Sequence, residues 1–167
     1  MKLRTLFDIV YIFILLSLVL YALYFRDLKG VFFTDKNFRT ETKYIVIHHD
    51  DICRDNTIKE IDDFHKEERG WEVGFAYHFY VKDGKINQLH NPDAVLPHAL
   101  KCNYNAVAIC IHTADKHKLL EQIELITLIK YLMFKYNITK ENVKGHCEVN
   151  SCTKCPLIDM NELRKWL

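Results

Sequence analysis

Two histidines and one cysteine of this chain form a candidate set of zinc ligands, and they lie in two groups far apart in the sequence. His48 closes the apolar run 44–47, whereas His146 and Cys155 lie near the other end of the chain, the cysteine directly before Pro156. Two imidazoles and one thiolate suit Zn²⁺, and three protein ligands leave the fourth tetrahedral position open for a water. The set therefore predicts the catalytic zinc site of a hydrolase.

A second histidine directly follows the first candidate ligand. If residues 43–49 form a strand, the side chains of His48 and His49 point to opposite sides of the sheet, because successive side chains alternate. One of the pair should then bind the metal, while the other supports the site or contacts the substrate.

Three stretches between these ligand candidates follow one another in a recognisable order. They are residues 64–71 (FHKEERGW), residues 74–86 (GFAYHFYVKDGKI) and the segment Pro97-His98-Ala99, with Asn105 a few residues on. In this order the chain resembles the zinc-dependent N-acetylmuramoyl-L-alanine amidases of type 2, a family that includes short phage amidase-lysozymes and the peptidoglycan recognition proteins. The likeness covers roughly residues 43 to 158.

The resemblance implies an activity and a metal site. The expected reaction is zinc-dependent hydrolysis, by a metal-activated water, of the amide that joins N-acetylmuramic acid to L-alanine in peptidoglycan. The family's pattern places the metal ligands at His48, His146 and Cys155, with Zn²⁺ as the cofactor. Peptidoglycan or a muropeptide is therefore the expected partner.

Two further residues match catalytic positions of the family. Tyr77 would present its hydroxyl to the developing oxyanion or to the attacking water. Thr153, in a Thr-x-Cys-Pro sequence, would make a second polar contact to the tetrahedral intermediate. One more residue than in the family separates His146 from Cys155, so Lys154 is the alternative if the register shifts.

Substrate contacts are expected from His98, His49 and Lys154. The resemblance matches His98 to a histidine of the substrate groove, which would hydrogen-bond sugar or peptide, although a buried structural histidine explains the same residue. Tyr77 has a similar rival explanation, since tyrosines in strands usually pack. Three other histidines are interpreted as structural or solvated: His65, His112 and His117.

The composition describes one globular domain with an additional apolar segment. The 167 residues are 49% hydrophobic and 27% charged, with a formal net charge of +1. The basic residues are dispersed and balanced by acidic ones, unlike the stripe of positive charge that binds phosphates. No nucleic-acid partner is therefore expected, and the oligomeric state stays open.

The apolar excess is concentrated at the N-terminus. The seventeen residues 9–25 carry no charge and as a helix would span about 25 Å, near the lower limit for crossing a bilayer core. A cleaved secretory signal has a shorter apolar core with a small-x-small site, and a core helix of a small domain usually keeps a polar face, which this segment lacks. A membrane anchor is therefore favoured over both. We expect an anchor at 1–26, a tether at 27–42 and the zinc amidase domain at 43–167. The expected location is the cytoplasmic membrane, with a single span and the domain facing the periplasm or cell wall, where the substrate is.

The rest of the chain predicts alternating strands and helices. Thr57 with Glu60 has the form of a capping box, and Asp83-Gly84 is a two-residue hairpin signal. Because the hairpin interrupts the alternation, we expect an α+β fold with a central mixed sheet of about five strands and helices packed on it. The apolar patterns predict strands at 43–49, 75–82, 85–89 and 106–112, and helices from residue 57 to about 69, at 117–136 with Asn137 as its stop, and at about 160–166.

Five cysteines remain once the metal ligand is set aside, so at least one is unpaired within the chain. Cys110 lies in an apolar strand and is interpreted as a small core residue. In an oxidising compartment Cys147 could pair with Cys152, and Cys53 with Cys102. In a reducing compartment all five would be thiols.

Two other functions fit parts of the pattern. A non-catalytic peptidoglycan-binding receptor of the same fold would be expected to lack a zinc ligand, and all three candidates are present here. A closed structural zinc knuckle would take its ligands from the C-terminal part alone, namely His146, Cys147, Cys152 and Cys155. The knuckle leaves the family-like order of the other motifs unexplained, so the enzyme is favoured over both.

Overall fold

The computed structural model describes residues 37–50, 57–112, 119–151 and 153–167. The expected helices and strands are present within these ranges, although the first hairpin strand begins at residue 79 rather than 75. In chain order the elements are β1 (Tyr44–His49), α1 (Ile58–Glu67), β2 (Phe79–Lys82), β3 (Lys85–Gln88), β4 (Ala106–Ile111), α2 (Leu119–Tyr136), a 3₁₀ turn (Lys140–Asn142), β5 (Val143–Gly145), α3 (His146–Val149) and α4 (Met160–Arg164).

In the described part of the chain the strands form one mixed sheet, in the order β3-β2-β4-β1-β5. β1 pairs in parallel with β4 and β5, β2 pairs in parallel with β4, and only β3 runs antiparallel to its neighbour β2. The central strands β1 and β4 are buried on both faces, which explains their nearly continuous apolar sequences. The predicted α+β fold with a mixed sheet of about five strands is confirmed.

The longest described helix, α2, covers one face of the sheet. Its buried side chains repeat at helical spacing, and each contributes about 1.5–3 kcal/mol relative to an exposed one. The helix ends where predicted, because Asn137 takes the left-handed conformation, with φ 52°. The residues that pack between α2 and the central strands include Leu125, Leu128, Ile129, Leu132, Ile45, Ile47, Val107 and Ile109.

The opposite face of the sheet is covered by α1 and by the segment 89–105. Because side chains alternate along β1, Val46 and His48 point to this face while Ile45 and Ile47 point to α2. The first candidate ligand therefore lies on the face away from α2. Two apolar clusters line this face: Ile61, Phe75, Tyr80, Leu89 and Cys110 in one, and Val46, Ala99, Cys102 and Ala106 in the other.

The two local sequence signals are confirmed. The N–H of Glu60 donates to Thr57 Oγ1 at 3.2 Å, and the Glu60 carboxylate accepts from the N–H of Thr57 at 2.7 Å, so the capping box starts α1. Asp83 and Gly84 have φ values of 51° and 64°, as a type I′ hairpin turn requires.

The predicted anchor at 1–26 and residues 27–36 of the predicted tether lie outside the described residues. Within the described ranges, no helix has both the length and the apolar character needed to cross a bilayer. The described end of the tether packs on the domain, since Phe38 forms a β-bridge with Ala94 and Arg39 is only 9% exposed. The Arg39 guanidinium donates to the Ala94 carbonyl at 2.8 Å, so the packed region includes residues before 43.

A buried carboxylate holds the turn between α1 and β2. Asp62 Oδ1 accepts from the N–H of Phe75 at 2.8 Å, and Oδ2 accepts from Lys66 Nζ at 2.6 Å. Gly74 has φ +71°, and a Cβ added there would lie 1.9 Å from Asp62 Oδ1. A side chain at position 74 would therefore displace the carboxylate that fixes the approach to Tyr77.

The variant Gly74→Ala is expected to destabilise the protein more than Gly70→Ala does. Gly70 has φ +66° and open space where a Cβ would be. Alanine at this position therefore lowers the stability only by the strain of a left-handed conformation, about 1–2 kcal/mol. The free energy of unfolding of Gly74→Ala should fall by about 1–3 kcal/mol more, because this substitution also disrupts a buried hydrogen bond. Urea unfolding of both variants measures the difference, and equal losses would contradict this account of Asp62.

Candidate metal centre

The pairing of β1 with β5 brings two of the three predicted ligands together. Ile47 lies opposite Gly145 in the parallel register, so the next residues of the two segments, His48 and His146, are neighbours. Their ring centroids are 4.5 Å apart. The sequence pattern did not predict β5, but the pairing of this strand with β1 brings the two histidines together as predicted.

Cys155 reaches this pair from the loop that follows α3. Its sulfur accepts from the backbone N–H of His49 at 3.3 Å and lies 4.0 Å from His48 Nδ1. The backbone N–H of Cys147 donates to the Cys155 carbonyl at 2.7 Å. Gly145 permits this close approach, since a Cβ there would lie 2.9 Å from Pro156 Cδ.

The donor set fits a zinc ion. One ligand atom from each of His48, His146 and Cys155 lies within 4.8 Å of the others. A tetrahedral zinc ion with bonds of about 2.0–2.3 Å holds its ligands roughly 3.3–3.6 Å apart, so small side-chain rotations would complete the geometry. Two nitrogens and one sulfur leave one tetrahedral position for a water or substrate, as in catalytic rather than structural zinc sites.

Burial sets the protonation states of the three candidate ligands. Burial lowers the pKa of His48 well below its ordinary value of 6.5, and the neighbouring His98 and His146 act in the same direction. Burial, followed by the effect of His49, also lowers the pKa of His146. Both imidazoles are therefore neutral at neutral pH, the form that binds metal. Burial raises the pKa of the Cys155 thiol to about 11, so metal binding must release that proton.

Tyr77 lies beside the ligand set. Its ring centroid is 4.9 Å from that of His48 and 5.5 Å from those of His65 and Phe75. Burial raises the pKa of the Tyr77 hydroxyl well above its ordinary value of 10.0. The hydroxyl keeps its proton at neutral pH, so Tyr77 is available as a hydrogen-bond donor next to the candidate ligands.

The other predicted polar residues occupy different positions. Thr153 is partly buried, and its Oγ1 accepts from the N–H of Cys155 at 3.1 Å, so it adjoins the sulfur ligand. Lys154 is exposed. The ring of His49 contacts the carbonyl of Asp50, while its backbone supports the Cys155 sulfur. A substrate contact by Lys154 or His49 stays a prediction.

His98 is buried beside the candidate ligand His48. It is 5% exposed, and its Nδ1 lies 3.1 Å from His48 Nε2. Burial lowers the pKa of His98 to about 3, assisted by His146 and Arg39, while the backbone of Ala106 acts in the opposite direction. The ring is therefore neutral at neutral pH. A contact between His98 and substrate stays a prediction.

Sequence reasoning missed a buried acid at the end of β1. Asp50 Oδ2 accepts from the Tyr80 hydroxyl at 2.5 Å and lies 2.9 Å from His112 Nδ1. A carboxylate directly after an apolar strand was the available signal. His112 and His65 are both buried, which agrees with a structural interpretation. His117 lies outside the described residues.

The four cysteines that the structure describes are free thiols: Cys102, Cys110, Cys147 and Cys155. Cys110 is fully buried, as expected of a core residue. The proposed partners Cys53 and Cys152 lie outside the described residues, and Cys152 also belongs to the alternative knuckle. The described ligand cluster includes His48, which the knuckle would not use.

The chain is similar to known proteins of one family. The family model for N-acetylmuramoyl-L-alanine amidase (Amidase_2) matches residues 38–157. The chain is similar to the endolysin N-acetylmuramoyl-L-alanine amidase LysCS from Clostridium intestinale URNW, with 33% identity, a TM-score of 0.67 and coverage of 82% of this chain and 93% of that one. Drosophila PGRP-LB is 25% identical with a TM-score of 0.62, over 78% of this chain and 84% of that one. No curated protein matches the chain.

A phage endolysin shares the fold of this chain. The Ph2119 endolysin from a Thermus scotoductus bacteriophage is 23% identical, with a TM-score of 0.65 and coverage of 83% of this chain and 90% of that one. The fold and the donor set together define an α+β domain with a candidate site for a metal ion. The chain belongs to the N-acetylmuramoyl-L-alanine amidase family of the Amidase_2 model.

The variant His48→Ala is expected to lose zinc, whereas His49→Ala keeps it. His48 offers a nitrogen to the candidate donor set, whereas the side chain of the adjacent histidine does not belong to that set. Zinc affinity should fall by more than about 100-fold in His48→Ala, because even the loss of an outer-shell partner costs 10–100-fold. Competition with a chromophoric chelator measures both affinities, and unchanged affinity in His48→Ala would contradict the split ligand set.

Proposed function

We propose that this chain is a zinc-dependent hydrolase that cleaves the amide between N-acetylmuramic acid and L-alanine in peptidoglycan. The observation that carries the proposal is the convergence of His48, His146 and Cys155 on one point, with Tyr77 beside them. The family description names this reaction, and the LysCS relative is itself described as an endolysin amidase of this specificity.

A peptidoglycan fragment as ligand is supported by a relative. A mutant of Drosophila PGRP-LB, 25% identical to this chain, is in complex with tracheal cytotoxin, a monomeric diaminopimelic acid-type peptidoglycan. A non-catalytic receptor of the same fold is the second candidate. The complete donor set and the protonated Tyr77 favour the enzyme, because binding alone requires neither.

The residues of the site have different roles in the proposed hydrolysis. His48, His146 and Cys155 would hold the zinc ion. When bound, zinc supplies a Lewis acid that polarises the scissile carbonyl and lowers the pKa of a water toward about 7. Tyr77 donates a hydrogen bond to the carbonyl oxygen as that oxygen gains negative charge. Thr153 Oγ1 accepts from the N–H of Cys155, so its own hydroxyl hydrogen stays available for a second donated bond.

The proposed location is the outer side of the cytoplasmic membrane. The uncharged residues 9–25 support a single-pass anchor, and a domain facing the periplasm or cell wall would lie within reach of its polymer. Because the Asn37 carbonyl accepts from the N–H of Val95, the chain is attached to the domain from residue 37, so the proposed tether would be about ten residues long, residues 27–36.

Deletion of residues 1–26 is expected to move the chain from the membrane pellet to the aqueous fraction. The full-length chain should resist extraction by high salt, because burial of the apolar segment in lipid is insensitive to ionic strength. Fractionation followed by immunoblotting measures both forms. Recovery of the full-length chain in the aqueous fraction would contradict the anchor.

The full-length chain, purified in detergent, is expected to release peptides from purified peptidoglycan. The released peptides should carry free L-alanine amino termini, since the bond to the lactyl group is the one that breaks. A chelator should abolish release, and added Zn²⁺ should restore it. Mass spectrometry identifies the products. Binding of the polymer without any cleavage, with or without zinc, would reject the enzyme in favour of the receptor.

The variant Tyr77→Phe tests the proposed role of this tyrosine in the same assay. Loss of one oxyanion donor should lower kcat by about 10²–10³-fold while the zinc content stays unchanged. Tyr131→Phe is the matched substitution, because Tyr131 packs on the opposite face of the sheet, and it should leave kcat unchanged. An undiminished kcat in Tyr77→Phe would remove this residue from the mechanism.

A further inference from the structure

The two ring nitrogens of His48 have different neighbours. Nδ1 lies 4.0 Å from Cys155 Sγ and so faces the other ligands, whereas Nε2 lies 3.1 Å from His98 Nδ1. A neutral imidazole has one N–H donor and one lone pair. To bind a metal through Nδ1, His48 must carry its hydrogen on Nε2, where it points at His98.

The contact between the two rings then has only one productive arrangement. His98 Nδ1 must accept the hydrogen from His48 Nε2, so His98 must carry its own hydrogen on Nε2. The reverse arrangement, with His98 donating, would place a hydrogen on His48 Nδ1 and occupy the lone pair that the metal needs. The tautomer of His98 therefore decides whether His48 can act as a ligand.

The surroundings of His98 hold its ring in place for this contact. The ring meets His48 edge-on, with centroids 5.2 Å apart and an interplanar angle of 90°. Its backbone N–H donates to the Leu96 carbonyl at 3.0 Å, and the next residue, Ala99, donates to Asn103 Oδ1 at 2.8 Å. His98 Nε2 is buried and has no hydrogen-bond partner of normal geometry among the described residues. His98 Nδ1 contacts the candidate ligand His48, and the backbone of Ala106 lies near enough to the ring to raise the pKa of His98.

We propose that His98 is a positioning residue of the metal centre, which accepts the Nε2 hydrogen of His48 and thereby holds the lone pair of His48 Nδ1 toward the metal. Partners of this kind fix the tautomer and the orientation of a ligating histidine. Because His98 is a neutral acceptor and not a carboxylate, it does this without adding negative charge beside the ligands. The inference rests on the zinc site of the proposed function and assigns His98 a role within that site that does not require it to bind the metal itself.

The test compares His98→Gln with His98→Met in the full-length chain. The two side chains are similar in length, but only glutamine offers an oxygen acceptor to His48 Nε2. The zinc dissociation constant, measured by chelator competition at fixed pH, should rise about 10–100-fold in His98→Met and should be at least partly restored in His98→Gln. Leu96→Ala is the control, since it opens a cavity in the same segment without removing the acceptor, and its zinc affinity should match that of the wild type.

The outcomes separate this inference from the proposed function. Tight zinc binding by the wild type with equal affinity in His98→Met would overturn the positioning role alone. Weakening of equal size in His98→Met, His98→Gln and Leu96→Ala would also overturn it, because packing would then explain the loss. A wild-type chain that binds no zinc would overturn both proposals. Should His98→Met fail to fold in thermal unfolding of the metal-free protein, His98→Leu takes its place.

Discussion

The parallel register between β1 and β5 is the constraint on which the site depends. Ile47 opposite Gly145 places His48 beside His146, and the missing side chain of Gly145 lets the loop carrying Cys155 approach. A slip of one residue would turn His48 to the opposite face of the sheet, because side chains alternate along a strand. The short strand is held from outside, since Arg164 of α4 donates to the Val143 carbonyl at 3.1 Å.

Burial gives the same residues their chemical character. In the apolar space under α1 and the segment 89–105, the charged forms of His48 and His146 are disfavoured, and so is the thiolate of Cys155. The metal-free site is therefore nearly neutral, and negative charge develops on the sulfur only as the metal binds. The same desolvation keeps the proton on Tyr77. One physical cause thus prepares both the ligands and the hydrogen-bond donor beside them.

The sequence was most informative where structure is local. The capping box of Thr57, the Asp83-Gly84 turn and the apolar runs of β1 and β4 each carry their own signal, and each was predicted correctly. β5 and α3 are three and four residues long, too short for any periodicity, and β5 is defined only by its pairing with β1. The contact of His98 with His48 joins residues fifty positions apart and likewise has no local signal.

X-ray absorption at the zinc edge of the metal-loaded full-length chain tests the central claim most directly. Coordination by His48, His146 and Cys155 predicts one sulfur at about 2.3 Å and two imidazole nitrogens at about 2.0–2.1 Å, with one further light atom. A spectrum without sulfur, or one with the three sulfurs of a knuckle built from Cys147, Cys152 and Cys155, would contradict it.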